Sequence, residues 1–181
     1  MAATERPFIP VRFAVLTVSD TRTTETDVSG NTLAERIAAA GHVVAARALV
    51  RDDIAAIRGT VRGWIADPAI DAVVSTGGTG LTGRDVTPEA VEPLFEKRMD
   101  GFSALFHRIS FDKIGTVTIQ SRAVAGVANA TFIFALPGSP SACRDAWDMI
   151  LAPQFDSRQR PSNFTEIMPR LDEHLKREKA R

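Results

Sequence analysis

Ile70-Asp71-Ala72-Val73-Val74-Ser75-Thr76-Gly77-Gly78-Thr79-Gly80 decides the fold, because an apolar, β-branched run passes directly into a glycine-rich turn. The run reads as a central strand, which sets the glycines at a strand's carboxyl end. Upstream, Phe13-Ala14-Val15-Leu16-Thr17-Val18-Ser19 is a second β-rich run without polar alternation, the pattern of a parallel strand buried on both faces. A polar loop from Asp20 to Gly30 follows. Leu33, Ile37 and Ala40 then recur at helical spacing, with Gly41 placed to stop the helix. His42 to Val50 is a further strand, and Asp52 or Asp53 can cap a helix whose Ile54, Ile57, Val61 and Ile65 form one stripe ending before Asp67-Pro68.

Downstream, Thr87-Pro88-Glu89 has the form of a helix start, with threonine as N-cap, proline next and an acid facing the helix dipole. Phe102, Leu105, Phe106 and Ile109 make another helical stripe. Ala123–Val127 and Thr131–Leu136 read as a hairpin around Asn129. Pro137-Gly138-Ser139-Pro140 closes its second strand and opens a helix bearing Cys143, Ala146, Trp147 and Ile150. Strands alternating with helices predict an α/β protein: a doubly wound, mostly parallel sheet with helices on both faces.

Composition narrows the function. The chain has 181 residues, 44% of them hydrophobic, and its 22 basic and 22 acidic residues cancel. A neutral chain lacks the basic excess of a general nucleic-acid or membrane-surface binder. Its length suffices to bury about 70% of the extended chain's surface without disulfides. The single cysteine, Cys143, suits a reducing compartment, and neither a signal peptide nor an uncharged run of 18 apolar residues is expected, so a cytoplasmic location is. The expected organisation is an extension over 1–10, one domain over 11–157 and a polar tail over 158–181. That tail either frays or docks on a neighbouring subunit through Phe155, Phe164 and Ile167.

Right-handed crossovers gather the carboxyl ends of parallel strands on one edge, where ligands of such sheets bind. Three loops belong there: Ser19 to Gly30, Thr76 to Arg84, and Leu136 to Ser141. Gly77, Gly78 and Gly80 let the backbone approach an anion, and the Thr76 and Thr79 hydroxyls can donate to phosphate oxygens. A P-loop is excluded, since Arg84 and Asp85 occupy the lysine and Ser/Thr positions, and the glycines do not match G-x-G-x-x-G. Asp52 and Asp85 are the acids able to share a magnesium ion with substrate phosphates, although each could equally serve as a helix cap, as could Asp20 and Asp27. Arg84 and Arg122 can neutralise phosphate charge. His42, His107 and Cys143 lie in apolar patterns and read as structural, so no protein nucleophile is expected.

Ser75-Thr76-Gly77-Gly78-Thr79-Gly80, continuing through Arg84-Asp85-Val86-Thr87-Pro88-Glu89, resembles the signature of the molybdenum cofactor biosynthesis proteins of the MoaB/MogA family. Val18-Ser19-Asp20, Asp27-Val28-Ser29-Gly30, Ser121-Arg122 and Leu136-Pro137-Gly138-Ser139 resemble its other ligand-edge motifs. Ala152-Pro153-Gln154-Phe155-Asp156 and Arg160-Pro161-Ser162-Asn163-Phe164 are similar to the MoaB branch. The resemblance implies a molybdopterin-binding α/β fold assembled as trimers or hexamers, and extends to other enzymes of that pathway as partners. It implies adenylylation of molybdopterin by Mg-ATP, with Asp52 and Asp85 as the catalytic and magnesium-holding pair. It also implies substrate contacts from Ser19, Asp20, Ser29, Thr76, Gly77, Gly78, Thr79, Gly80, Ser121, Arg122, Pro137, Gly138 and Ser139. The alternative is a non-catalytic molybdopterin-binding scaffold in the same pathway.

Overall fold

The computed structural model describes residues 6–174. The outermost parts of the expected extension and tail, 1–5 and 175–181, lie outside the described residues. Six strands form one mixed sheet: β1 (Arg12–Val18), β2 (Val43–Val50), β3 (Ala72–Thr76), β4 (Lys97–Arg98), β5 (Val124–Ala128) and β6 (Thr131–Leu136). Their order is β2-β1-β3-β6-β5-β4; β2, β1, β3 and β6 run parallel, while β5 pairs antiparallel with β6 and the short β4 antiparallel with β5. The chain leaves β1 toward β2 on one side and returns to β3 on the other, so the reversal in strand order lies between β1 and β3. Ligands of open α/β sheets bind beyond the carboxyl ends at such a reversal.

Alternation along β1 feeds two cores. Phe13 and Val15 point toward α1 (Val28–Ala39), α4 (Asp100–Ile114) and α5 (Pro140–Ala146) on one face. Ala14, Leu16 and Val18 point toward α2 (Ile54–Ile65) and α3 (Thr87–Val91) on the other. A chain buried on both faces needs apolar residues without alternation, which is what β1, β3 and β6 carry.

Local chemistry sets the ends of these elements. The Asp27 carboxylate accepts from the Gly30 amide at 2.8 Å, starting α1 inside the segment expected as loop. Gly41 stops the helix at φ +86°, a conformation costly for any other residue. Asp53 caps α2 by accepting from the Ala56 amide at 2.7 Å. Asn129 and Ala130 both take positive φ in the two-residue turn between β5 and β6, as a twisted hairpin requires.

Two expectations are corrected. Thr87 is the first residue of α3 rather than its cap, and its hydroxyl donates to the Gly77 carbonyl at 2.8 Å. A tertiary acceptor has displaced the local capping bond. Leu105 leaves the apolar stripe of α4 and is half exposed, whereas Phe102 and Phe106 are buried.

After α5 the helix widens into a π turn over Trp147–Leu151, followed by α6 (Ala152–Phe155) and α7 (Phe164–Ile167). Phe155 is fully buried, and the Phe164 ring lies 4.7 Å from that of Phe132 and 5.2 Å from that of Phe155. These two rings fill the chain's own core instead of waiting for a neighbour. Ser157 ties the opposite terminus to this segment, donating to the Pro7 carbonyl at 2.7 Å and accepting from the Ile9 amide at 2.9 Å.

Candidate functional site

The three loops expected on the carboxyl edge do meet there, around a cleft of about 430 Å³. Its floor is the end of β1, Thr17 and Val18, beside Thr76, Gly77 and Gly78. Glycine is required at the turn: φ is +101° at Gly77 and +65° at Gly78, and a Cβ at Gly77 would lie 2.1 Å from the Val18 carbonyl oxygen. From the other side, a Cβ at Gly138 would come within 3.3 Å of the Gly77 Cα. Three backbones therefore crowd together where β1, β3 and β6 end.

Acidic side chains converge on this turn. A Cβ at Gly78 would lie 2.9 Å from Asp52 Oδ1, and one at Gly80 would lie 2.7 Å from Asp85 Oδ2. Both carboxylates thus abut the glycine loop, and both line the cleft together with Asp20. Because Asp53 takes the cap of α2, Asp52 is left to face the cleft.

Their electrostatics differ. Burial, with repulsion from Asp20 and Asp85, pushes the Asp52 carboxyl above its ordinary range. Burial also pushes Asp85 up, but the amide and hydroxyl of Thr82, at 2.9 and 2.6 Å, and the Gly80 amide outweigh it and hold that group low. Asp20 is held low chiefly by its ion pair with Arg84. Of these three carboxylates Asp52 is the one whose charge burial and its acidic neighbours disfavour, a condition met by functional carboxylates and relieved by a cation.

The residues suit one kind of magnesium site. Among the described residues no group of three or more His, Cys, Asp or Glu side chains converges as a metal cage. A magnesium ion that arrives on phosphates needs only one or two carboxylates, and Asp52 and Asp85 fit that demand.

Other expected site residues divide. Ser19, Asp20, Ser29, Thr76, Gly77, Gly78 and Gly138 line the cleft. Several are already committed: the Thr76 hydroxyl donates to the Pro137 carbonyl at 2.9 Å and the Ser29 hydroxyl to the Gly138 carbonyl at 2.7 Å. Asp27, buried, accepts from the Thr17 hydroxyl at 2.7 Å as well as from Gly30, and acts as a brace. Ser139 caps α5, and Thr79, Gly80, Pro137, Ser121 and Arg122 do not line the cleft. Arg122 faces the back of the glycine loop, where it bonds the Gly80 and Asp85 carbonyls.

Thr21, Arg22, Val28 and Pro140 line the cleft without having been singled out as site residues. The first three lie in the Ser19–Gly30 segment, whose place on the edge was the available signal. Cys143 is buried against Thr76 and its thiol is pushed up to about 11 by burial, as befits an inert core residue. His42 accepts from the Val11 amide at 3.1 Å, and His107 contacts the Ser103 and Ser121 carbonyls. Both are structural.

Residues 14–157 match a family model described as "Probable molybdopterin binding domain". Molybdenum cofactor biosynthesis protein B of Escherichia coli is 52% identical over 164 residues, which is 91% of this chain and 96% of that protein. The chain belongs to the molybdenum cofactor biosynthesis protein B family. A crystal structure of a molybdenum cofactor biosynthesis protein B gives a TM-score of 0.83 at 37% identity, covering 93% of this chain and 99% of the other. The structure named molybdopterin biosynthesis enzyme MoaB, from Thermus thermophilus, gives 0.70 at 34%, covering 78% and 89%. The match over residues 14–157 takes in nearly all of the sheet and the loops that line the cleft at the β1/β3 reversal. No helix among the described residues is long and apolar enough to cross a membrane.

Proposed function

We propose that the cleft binds molybdopterin and Mg-ATP and catalyses adenylylation of molybdopterin, in a cytoplasmic trimer or hexamer. The observation that carries this reading is the placement of Asp52 and Asp85 against Gly78 and Gly80 in one cleft. Family membership supports the pterin as ligand. In the reaction, an oxygen of the pterin's terminal phosphate attacks the α-phosphorus of ATP. The bond from that phosphorus to the β-phosphate oxygen breaks, and pyrophosphate leaves.

Two anionic reactants repel each other, so the site's task is neutralisation and alignment. The glycine turn offers the phosphates backbone amides, and its shape depends on glycine, since a Cβ at Gly77 or Gly78 would collide with Val18 or with Thr87 and Asp52. Asp52 and Asp85 would hold the magnesium ion, which when bound offsets phosphate charge and polarises the α-phosphate. Arg84 at the cleft mouth, paired with Asp20, is the cation placed to meet a further phosphate oxygen. No side chain forms a covalent bond.

The test is incubation with molybdopterin, ATP and magnesium, following adenylyl-molybdopterin and pyrophosphate. The expected result is both products from the wild type, with the rate lowered on the order of 100-fold but still measurable in Asp85→Asn. Binding of molybdopterin without either product, under conditions where a MogA-type control turns over, would leave a carrier instead of an enzyme.

A further inference from the structure

Behind the glycine loop, one side chain braces a stretch of chain that is also tied to the first loop by the exposed Arg84–Asp20 ion pair. The Arg122 Nε donates to the Gly80 carbonyl at 2.9 Å and its Nη2 to the Asp85 carbonyl at 2.8 Å, while Nη1 pairs with the Glu89 carboxylate. The Arg122 amide also donates to the Thr79 carbonyl, at 2.9 Å. A single planar guanidinium thus closes both ends of the loop 80–85. Between those ends Leu81, Thr82, Gly83 and Arg84 are all exposed and contribute no buried anchor.

Each contact has its own support. Glu89 stands in the first turn of α3, where Pro88, Ala90 and Val91 are buried, so the helix gives the guanidinium a fixed acidic backstop. On the other side the Ser121 carbonyl lies 2.9 Å from His107 Nε2, which ties the segment carrying Arg122 to α4. The fork geometry matters, because an ammonium group is a point donor and cannot bridge two carbonyls five residues apart as a planar fork does.

We infer that Arg122 is a positioning residue that sets how far Asp85 reaches into the cleft, and that it does not contact the ligand. Thr82 fixes the Asp85 carboxylate to its own loop; Arg122 fixes that loop to the protein. The kinetic half of this inference rests on the adenylyl-transfer reading, and the structural half stands without it.

The experiment compares Arg122→Gln and Arg122→Lys with the wild type by amide hydrogen exchange and by steady-state kinetics. In Arg122→Gln the amides of residues 81–85 are expected to exchange about tenfold faster, with those of β6 unchanged. The value of kcat is expected to fall about 10- to 100-fold, the effect of a small misplacement, with KM for ATP and for molybdopterin held within about twofold. Arg122→Lys is expected to recover part of that loss. Combining Arg122→Gln with Asp85→Asn is expected to cost no more than Asp85→Asn alone, because both act through one group.

Unchanged exchange in the loop would overturn the inference. So would a raised KM at constant kcat, which marks a ligand contact, or additive losses in the double variant. A wild-type protein with no transfer activity would defeat the proposed reaction, and the exchange result would then decide the role of Arg122 alone.

Discussion

Replacing Gly77 by alanine tests the geometry on which the cleft depends. At φ +101° an alanine is strained by about 1–3 kcal/mol. Its Cβ would also stand 2.1 Å from the Val18 carbonyl oxygen, a backbone atom with no rotamer to escape through. Val18 is the last residue of β1 and is paired in register with Val50, while the next amide, Ser19, donates to the Val50 carbonyl at 2.9 Å. Relief therefore requires the end of β1 to shift, an overpacking cost of about 1–3 kcal/mol. Together these are roughly 2–6 kcal/mol, which in a chain of this size lowers Tm by roughly 5–20 °C. The control is Gly59→Ala in α2, where nothing lies within 4 Å of the added Cβ and removing a mid-helix glycine should stabilise by about 0.5–1 kcal/mol. Thermal melts of the two variants beside wild type make the measurement. Equal melting points for Gly77→Ala and wild type, within about 2 °C, would refute the claim that three backbones crowd at this turn.

Asp52→Asn is expected to stabilise the protein at pH 7 while lowering transfer on the order of 100-fold. The folded carboxyl titrates above its ordinary value of 3.8, so the charged form weakens the fold at neutral pH and ceases to do so once pH falls below that value. The urea midpoint of the variant should exceed wild type at pH 7, and the difference should close on acidification; an equal or lower midpoint at pH 7 would show Asp52 to be compensated. Phe164→Ala removes a ring packed on Phe132 and Phe155 and should cost about 2–4 kcal/mol, whereas Ile119→Ala, 73% exposed, should leave the melt unchanged. Equal melts for both would mean that α7 contributes nothing to the core.

What could be read in advance follows from the range over which each interaction acts. The strands, Gly41 and the hairpin at Asn129 obey rules that operate within a few residues: period, cap and positive φ. Asp52 and Asp53 show where such rules stop. Either could cap α2 by sequence; Asp53 takes the cap, and the neighbour thereby becomes a cleft carboxylate. Thr87 goes further, since its local pattern is that of an N-cap and yet its hydroxyl bonds to Gly77, ten residues back. Arg122 marks the far limit. Its sequence neighbourhood resembles a ligand-edge motif, but its role is set by Gly80, 42 positions away, and by Asp85, 37 positions away. Only the order of strands, which brings β5 and its approach segment behind the glycine loop, puts those carbonyls within reach. The cleft is thus written in two codes: short patterns supply the acids and the glycines, and the sheet's topology decides which basic residue lines the cleft and which holds the loop from behind.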